Sequence, residues 1–150
     1  MTINALFAAA HFIAVFGIVA TIFFEWMTIS PMPSYIEARR LQLCDRWYGL
    51  SAVVILVVGL ARVFHFEKGK EFYFANPFFH AKLGLFVLIG LLSIYPTVRF
   101  IKWGAQTKQG LPPVVTQHEY KTIKALLSVQ LVLLIGMAFC ASFMARGIGM

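Results

Sequence analysis

Charged side chains are scarce in this sequence. Only 13% of its 150 residues are Asp, Glu, Lys or Arg, whereas 60% are hydrophobic, and the mean hydropathy is +0.80. A soluble domain of this size would need far more polar surface to cover its outside. The composition therefore predicts an integral membrane protein, with the lipid bilayer as its first expected partner.

Cysteine is also scarce, and the sequence lacks the common catalytic motifs. Cys44 and Cys140 allow one disulfide at most, and the expected topology places them too far apart to form it. No C-x-x-C-H segment is present, which excludes a covalently attached haem. No Gly-rich phosphate loop, nucleophile triad or zinc signature occurs, so hydrolytic and nucleotide-driven chemistry are poor candidates.

Acidic residues are few beside the basic ones. The sequence has 6 Asp and Glu against 13 Lys and Arg, which gives a net charge of +7. The basic residues lie next to apolar runs and form no motif that reads a nucleic-acid groove. They predict contact with anionic lipid headgroups and no nucleic-acid partner.

Four apolar runs are long enough to cross a bilayer, which takes roughly 20 residues of helix. The predicted helices span about residues 3–27, 46–65, 79–103 and 121–146. Short connectors leave no room for a second domain, so residues 1–150 are predicted to form a single transmembrane domain. The predicted fold class is all-α, an integral membrane four-helix bundle with antiparallel up-down-up-down topology.

The distribution of basic residues predicts the orientation of the bundle. The side of short loops that is richer in Lys and Arg faces the cytoplasm. We therefore predict an N-out/C-out, multi-pass protein of the bacterial inner membrane, with both termini outside the cytoplasm. Eight of the 13 basic residues fall on the predicted inner side: Arg39, Arg40, Arg46, Arg99, Lys102, Lys108, Lys121 and Lys124.

Histidines gather on the outer side in this topology. His11, His65 and His80 are three of the four in the chain, and Arg62 and Lys82 join them there. His11 interrupts an apolar run and is too short to reach the interface from its depth, so it is a functional suspect. It is the predicted axial ligand of a non-covalent haem b, for which imidazole is the usual donor. A neutral imidazole hydrogen-bonded within the bundle stays open as the alternative.

Haem binding would require further groups near His11. His80 is the predicted second axial ligand, while Met137 and a five-coordinate iron remain alternatives. Arg62, Lys82 and His80 are predicted to face the haem propionates near the outer surface. The predicted cofactor-binding residues are thus His11, Arg62, His80 and Lys82, and the predicted metal ligands are His11 and His80.

Two segments resemble the signature segments of the HemJ-type protoporphyrinogen oxidases. They read H-F-I-A-V at residues 11–15 and H-A-K-L at residues 80–83. Those proteins carry an essential histidine on the first helix and a lysine on the third, so the resemblance implies His11 and Lys82 as a functional pair and haem b as cofactor. Residues 16–19 read F-G-I-V where that family usually has a Trp-Phe pair. The resemblance therefore implies the fold and the cofactor more than the enzymatic activity.

Taken whole, the chain resembles an uncharacterised bacterial family of small four-helix membrane proteins. Three patterns carry this resemblance: Asp45-x-x-Tyr48-Gly49, Gly59-x-x-Arg62 and Tyr95-Pro96-Thr97. It implies the same membrane fold and no particular reaction.

Two acidic residues receive structural interpretations. Glu25 lies two heptads after His11, so both are predicted on one core-facing stripe of the first helix. Glu25 is predicted to form an ion pair with Arg46 or Arg99, with a proton relay as the alternative. Asp45 is predicted to cap the second helix.

The sequence predicts a haem-b-binding membrane protein in one-electron or porphyrin redox chemistry, with a quinone or porphyrin as its small-molecule partner. Whether it is an enzyme stays open; an oxidoreductase of the protoporphyrinogen-oxidase or cytochrome-b kind is the candidate. The alternative is a cofactor-free transporter or channel subunit, in which His11, Glu25 and Lys82 pack or handle protons. Such a narrow bundle would need to form a homo-oligomer for transport. An accessory subunit of a larger membrane complex is the third alternative.

Overall fold

The computed structural model describes residues 2–66 and 74–148, and every regular element in these ranges is helical. Four long helices form the bundle: α1 (Thr2–Thr28), α2 (Tyr35–Ala61), α3 (Pro77–Lys102) and α4 (Gln117–Ala145). A π-helical turn, Arg62–Phe66, continues α2, and a single helical turn, Gly104–Thr107, follows α3.

The start of α2 is fixed by a capping box. The Ser34 hydroxyl accepts a hydrogen bond from the Glu37 backbone N–H at 3.2 Å, and the Ser34 N–H donates to the Glu37 carboxylate at 2.7 Å. Because of this cap, α2 begins at Tyr35 and not near residue 46. Asp45 therefore lies inside the helix, and the prediction that it caps the helix is wrong.

The start of α3 is tied to the end of α4. Asn76 accepts a hydrogen bond from the Phe78 N–H at 2.9 Å, and its amide group donates to the Ile148 carbonyl at 3.4 Å. Pro77 occupies the first helical position, where its missing N–H has no cost. Gly147 ends α4 with a φ of 70°, a left-handed conformation that favours glycine.

The helices are arranged as a square. α1 packs on α2 and α3 packs on α4, while contacts between α1 and α4 and between α2 and α3 join the two pairs. α1 and α3 are therefore diagonal. This arrangement confirms the predicted all-α bundle with sequential antiparallel neighbours.

The outer surface of the bundle is apolar. The four helices have spanning windows with a hydropathy of 1.8 to 2.3, and only 11% to 28% of each window is buried within the protein. Ile13 and Phe16, for example, are each 71% exposed on the outside of α1. Such a surface is stable in contact with lipid, so the chain is a multi-pass membrane protein.

One end of the bundle is closed by a tight core. We call it the basic end, the end where α1 and α3 finish and α2 and α4 begin. Leu41, Phe100 and Ile123 are each at most 1% exposed there, and Ile22 and Leu127 continue this core toward the middle of the bundle. Side chains from all four helices meet in this core.

The opposite end is loosely packed. We call it the histidine end; it contains His11, Arg62, His80 and Lys82. None of the described residues in 49–61, 77–88 or 131–145 is buried. Val63 and Asn76 are buried at this end, but most of its side chains are exposed or only partly buried, so it is packed less tightly than the basic end.

Candidate functional site

His11 lies on the core-facing stripe of α1. Ala14, Ile18, Ile22 and Glu25 are the buried positions that define this stripe, at 5%, 3%, 1% and 3% exposure. His11 is one turn before Ala14 in the same series and is half-buried. The imidazole therefore belongs to the interior side of α1, and the prediction that His11 and Glu25 share one stripe is confirmed.

The His11 ring lies beside Gly59 of α2. A Cβ atom built on Gly59 would lie 3.6 Å from Cε1 and 3.8 Å from Nδ1 of His11, which is ordinary van der Waals contact. Nδ1 is a buried atom. The Nδ1 edge of the ring therefore lies toward α2.

Two cations share the histidine end with His11, as the predicted topology requires. Arg62 begins the π-helical turn, and its backbone N–H donates hydrogen bonds to the carbonyls of Val58 and Gly59 in α2. Lys82 lies in the second turn of α3. Both side chains are half-buried and both interact with other residues. His65 belongs to the same π-helical turn, but its side chain lies outside the described part of the chain.

His80 is bound locally at the start of α3. It is exposed, its Nε2 lies 2.9 Å from the Phe74 carbonyl oxygen, and its ring centroid is 5.6 Å from that of Phe79. α3 is diagonal to α1 in the bundle, so His80 and His11 do not face each other across a packed helix pair. Its role as second axial ligand stays a prediction. The alternative ligand, Met137, is partly buried on α4, which is a direct neighbour of α1.

The described part of the chain has no metal site built only from protein side chains. Within residues 2–66 and 74–148, no three His, Cys, Asp or Glu side chains are grouped closely enough to hold an ion. A haem does not require such a group, because the porphyrin supplies four nitrogens and the protein supplies one or two axial ligands. A single imidazole such as that of His11 would therefore be sufficient as the protein ligand of a haem.

The basic end holds a buried ion pair. Glu119 is 2% exposed; it accepts hydrogen bonds from the Arg99 guanidinium and from Trp103 Nε1, the latter at 3.0 Å. Thr116 caps α4 by accepting from the Glu119 N–H at 3.1 Å, which places the carboxylate against α3. Arg99 is thus bound to Glu119, and the predicted pair of Arg99 with Glu25 is wrong.

A second polar contact joins α2 to α3 near the basic end. The Thr97 hydroxyl donates to Asp45 Oδ1 at 2.6 Å. Glu25 is within electrostatic range of Asp45, and its Oε1 has no hydrogen-bond partner among the described residues. Arg46 is exposed and does not pair with Glu25, so that half of the predicted ion pair is also wrong.

The three sequence patterns of the family resemblance correspond to helix contacts. Asp45 of the first pattern accepts from Thr97 of the third, and Gly59 of the second receives the ring of His11. Sequence reasoning identified these patterns without finding that they touch. Each of these patterns has a residue that faces a neighbouring helix, and this common placement was the signal that could have indicated the contacts.

Both cysteines are free thiols, which confirms that they form no disulfide with each other. Cys44 lies beside α1, where its Sγ is 3.5 Å from the Thr21 carbonyl oxygen.

Fold and composition together define the class of this molecule, a four-helix integral membrane protein. The chain belongs to the family described as "Predicted membrane protein (DUF2214)", whose model matches residues 3–149. This confirms the resemblance to an uncharacterised family of membrane proteins. No curated protein and no solved structure matches the chain. The likeness to the HemJ-type enzymes stays a prediction.

Proposed function

We propose that this protein binds haem b at the histidine end of the bundle and acts in one-electron or porphyrin redox chemistry at the membrane. The observation that carries the proposal is the position of His11. It is the one histidine of the described chain on a core-facing stripe, and it lies where the bundle is loosely packed. An imidazole there can ligate iron from inside the bundle.

The surrounding side chains fit a haem. Gly59 of α2 lies beside the imidazole, and Arg62 and Lys82 bring two cations to the same end for the propionates. His80 would serve as the second axial ligand or as a further propionate donor. Bound haem would supply one-electron exchange at iron, and the lipid-facing surface would admit a quinone or porphyrin as partner.

The proposal includes a location. We propose the bacterial inner membrane, with the basic end in the cytoplasm and both termini outside. The eight basic residues of the predicted inner side support this orientation, because Lys and Arg of short loops remain cytoplasmic. Haem would then lie near the outer leaflet.

The proposal is tested by purifying the protein in detergent and recording its reduced-minus-oxidised absorption spectrum and its haem content. The wild-type protein should show Soret and α bands, and His11→Ala should lose most of its haem because the axial bond is gone. The matched control is His118→Ala, since His118 is exposed at the basic end. His80→Ala should keep haem but change the iron from six-coordinate to five-coordinate if His80 is the second ligand.

A wild-type spectrum without haem bands, even after growth with added haem precursor, would remove the proposal. Equal haem loss in His11→Ala and His118→Ala would also contradict it, because that result would indicate unspecific haem association.

A second candidate function is a cofactor-free transporter subunit that handles protons. The observation in its favour is the pair of buried carboxyl groups, Glu25 at 3% and Asp45 at 9% exposure, with no basic side chain bound to either in the described chain. Buried ionisable groups in membrane helices commonly mark proton pathways.

This candidate is tested in liposomes that contain a pH-sensitive dye. It predicts proton flux through the wild-type protein, loss of that flux in Glu25→Gln, and a cross-linked homo-oligomer in native membranes. Glu37→Gln is the control, since Glu37 belongs to the capping box at the start of α2. A proton-tight wild-type protein would exclude this function.

A further inference from the structure

The first turns of α2 carry a row of arginines on the outside of the bundle. Arg39, Arg40 and Arg46 are exposed, and none of their guanidinium groups is bound to a carboxylate within residues 2–66 and 74–148. Two acidic residues lie on the same part of α2: Glu37 is occupied by its capping box with Ser34, and Asp45 is buried and accepts a hydrogen bond from Thr97. This face of α2 is therefore strongly positive.

A groove runs along this positive face. It has a volume of about 300 Å³. Its walls combine guanidinium groups and an amide with apolar side chains, a composition suited to an anionic group attached to an apolar body. The lining residues are Tyr35, Ile36, Arg39, Arg40, Gln42, Leu43 and Arg46.

A second groove lies beside the first, where α2 meets α1. It has a volume of about 320 Å³ and is almost wholly apolar. It shares Arg40 and Leu43 with the first groove and adds Phe24 of α1 together with Cys44 and Trp47 of α2. Trp47 is 57% exposed, as an aromatic side chain at a membrane boundary commonly is.

We infer that the two grooves form one binding site for an anionic phospholipid. The headgroup phosphate would lie among Arg39, Arg40 and Arg46, and an acyl chain would lie along Phe24, Leu43 and Trp47. Charge complementarity selects an anionic headgroup, and the adjoining apolar groove selects a lipid over a free phosphate. The site is at the basic end and is independent of haem at the histidine end.

The inference is tested by native mass spectrometry of the full chain in detergent, titrated with phosphatidylglycerol and with phosphatidylcholine of the same chain length. Phosphatidylglycerol should bind more tightly. The triple variant Arg39→Gln/Arg40→Gln/Arg46→Gln should bind it about 10- to 100-fold more weakly, because each basic residue near a headgroup contributes favourably.

The matched control removes the same charge at the same end. Lys102, Lys108 and Lys121 are exposed there, and Lys102→Gln/Lys108→Gln/Lys121→Gln should change the affinity less than about threefold. An unchanged midpoint of thermal unfolding shows that the arginine variant is folded. If the triple variant does not fold, the three single variants replace it. Arg40→Gln should then have the largest effect, because Arg40 lines both grooves.

Three results would overturn the inference. Equal affinity for the two lipids would exclude headgroup selection. An equal loss in the lysine control would show general electrostatic attraction in place of a site. Equally tight binding of inorganic phosphate would indicate an anion site without a role for the acyl chain.

Discussion

At the scale of single residues, the Thr97 hydroxyl connects two helices through a buried carboxylate. Its bond to Asp45 is 2.6 Å long, and Asp45 is 9% exposed. The sequence suggested a helix cap for Asp45, since aspartate is common at that position. The contact with Thr97 depends on the register between α2 and α3, which no local pattern of residues contains.

We expect Thr97→Val to lower the stability of the protein by about 1 to 3 kcal/mol, because valine keeps the shape and leaves a buried oxygen without its donor. Thermal unfolding in detergent measures this as a lower midpoint. The control is Thr122→Val, whose hydroxyl donates to the His118 carbonyl of its own helix at an exposed position. Equal midpoints for wild type and Thr97→Val would show that the Asp45 contact contributes nothing.

His11 illustrates what the sequence could and could not show about the site. Its depth and its shared stripe with Glu25 followed from spacing alone, and the structure confirms the stripe. Its contact with Gly59 did not follow, because it depends on how α1 and α2 approach each other. The ion pair predicted between Glu25 and Arg99 was wrong because it also depended on how the helices pack. In the folded bundle Arg99 binds Glu119 of α4.

At the scale of helices, the close approach of α1 and α2 depends on a glycine. A Cβ on Gly17 would lie 2.5 Å from Ser51 Oγ and 3.3 Å from Ser51 Cβ, too near for an unchanged structure.

The bounds of α1, α3 and α4 were predicted to within a few residues from the lengths of the apolar runs in the sequence. The first eleven residues of α2, 35–45, were missed, because this segment has no apolar run and is helical owing to the cap at Ser34.

Gly17→Ala should weaken the α1 and α2 pair by about 1 to 3 kcal/mol through overpacking, although alanine favours a helix. Thermal unfolding is again the measurement. Gly49→Ala is the control on α2, since nothing lies within 4 Å of its Cβ position, and it should be neutral or stabilising.

The double variant Gly17→Ala/Ser51→Gly should recover part of the loss, because it removes the hydroxyl that the new methyl group meets. Equal stabilisation by Gly17→Ala and Gly49→Ala would contradict the close approach of these helices.

At the scale of the whole molecule, the two ends of the bundle differ. Hydropathy predicted the membrane class, and short connectors predicted the antiparallel order, both of which the structure confirms. The tight basic end and the loose histidine end were not predicted, since they depend on how side chains of the four helices pack against one another, which hydropathy does not report. Only the packing of Phe100, Ile123 and Leu127 against one another reveals the closed end.

The proposed orientation predicts the activity of reporter fusions. Alkaline phosphatase fused to the C-terminus should be active, because that reporter folds only outside the cytoplasm. The same reporter fused after Pro33, between α1 and α2, should be inactive. The reversed pattern would place the basic end outside and contradict the positive-inside assignment.

The most direct test of the account is imidazole rescue of a variant that lacks the proposed iron ligand. In His11→Gly the Soret and α bands of the purified protein should be lost, and free imidazole should restore them by entering the space of the missing ring. Haem bands that persist in His11→Gly without imidazole, or a wild-type protein that holds no haem, would contradict the claim that this histidine binds iron.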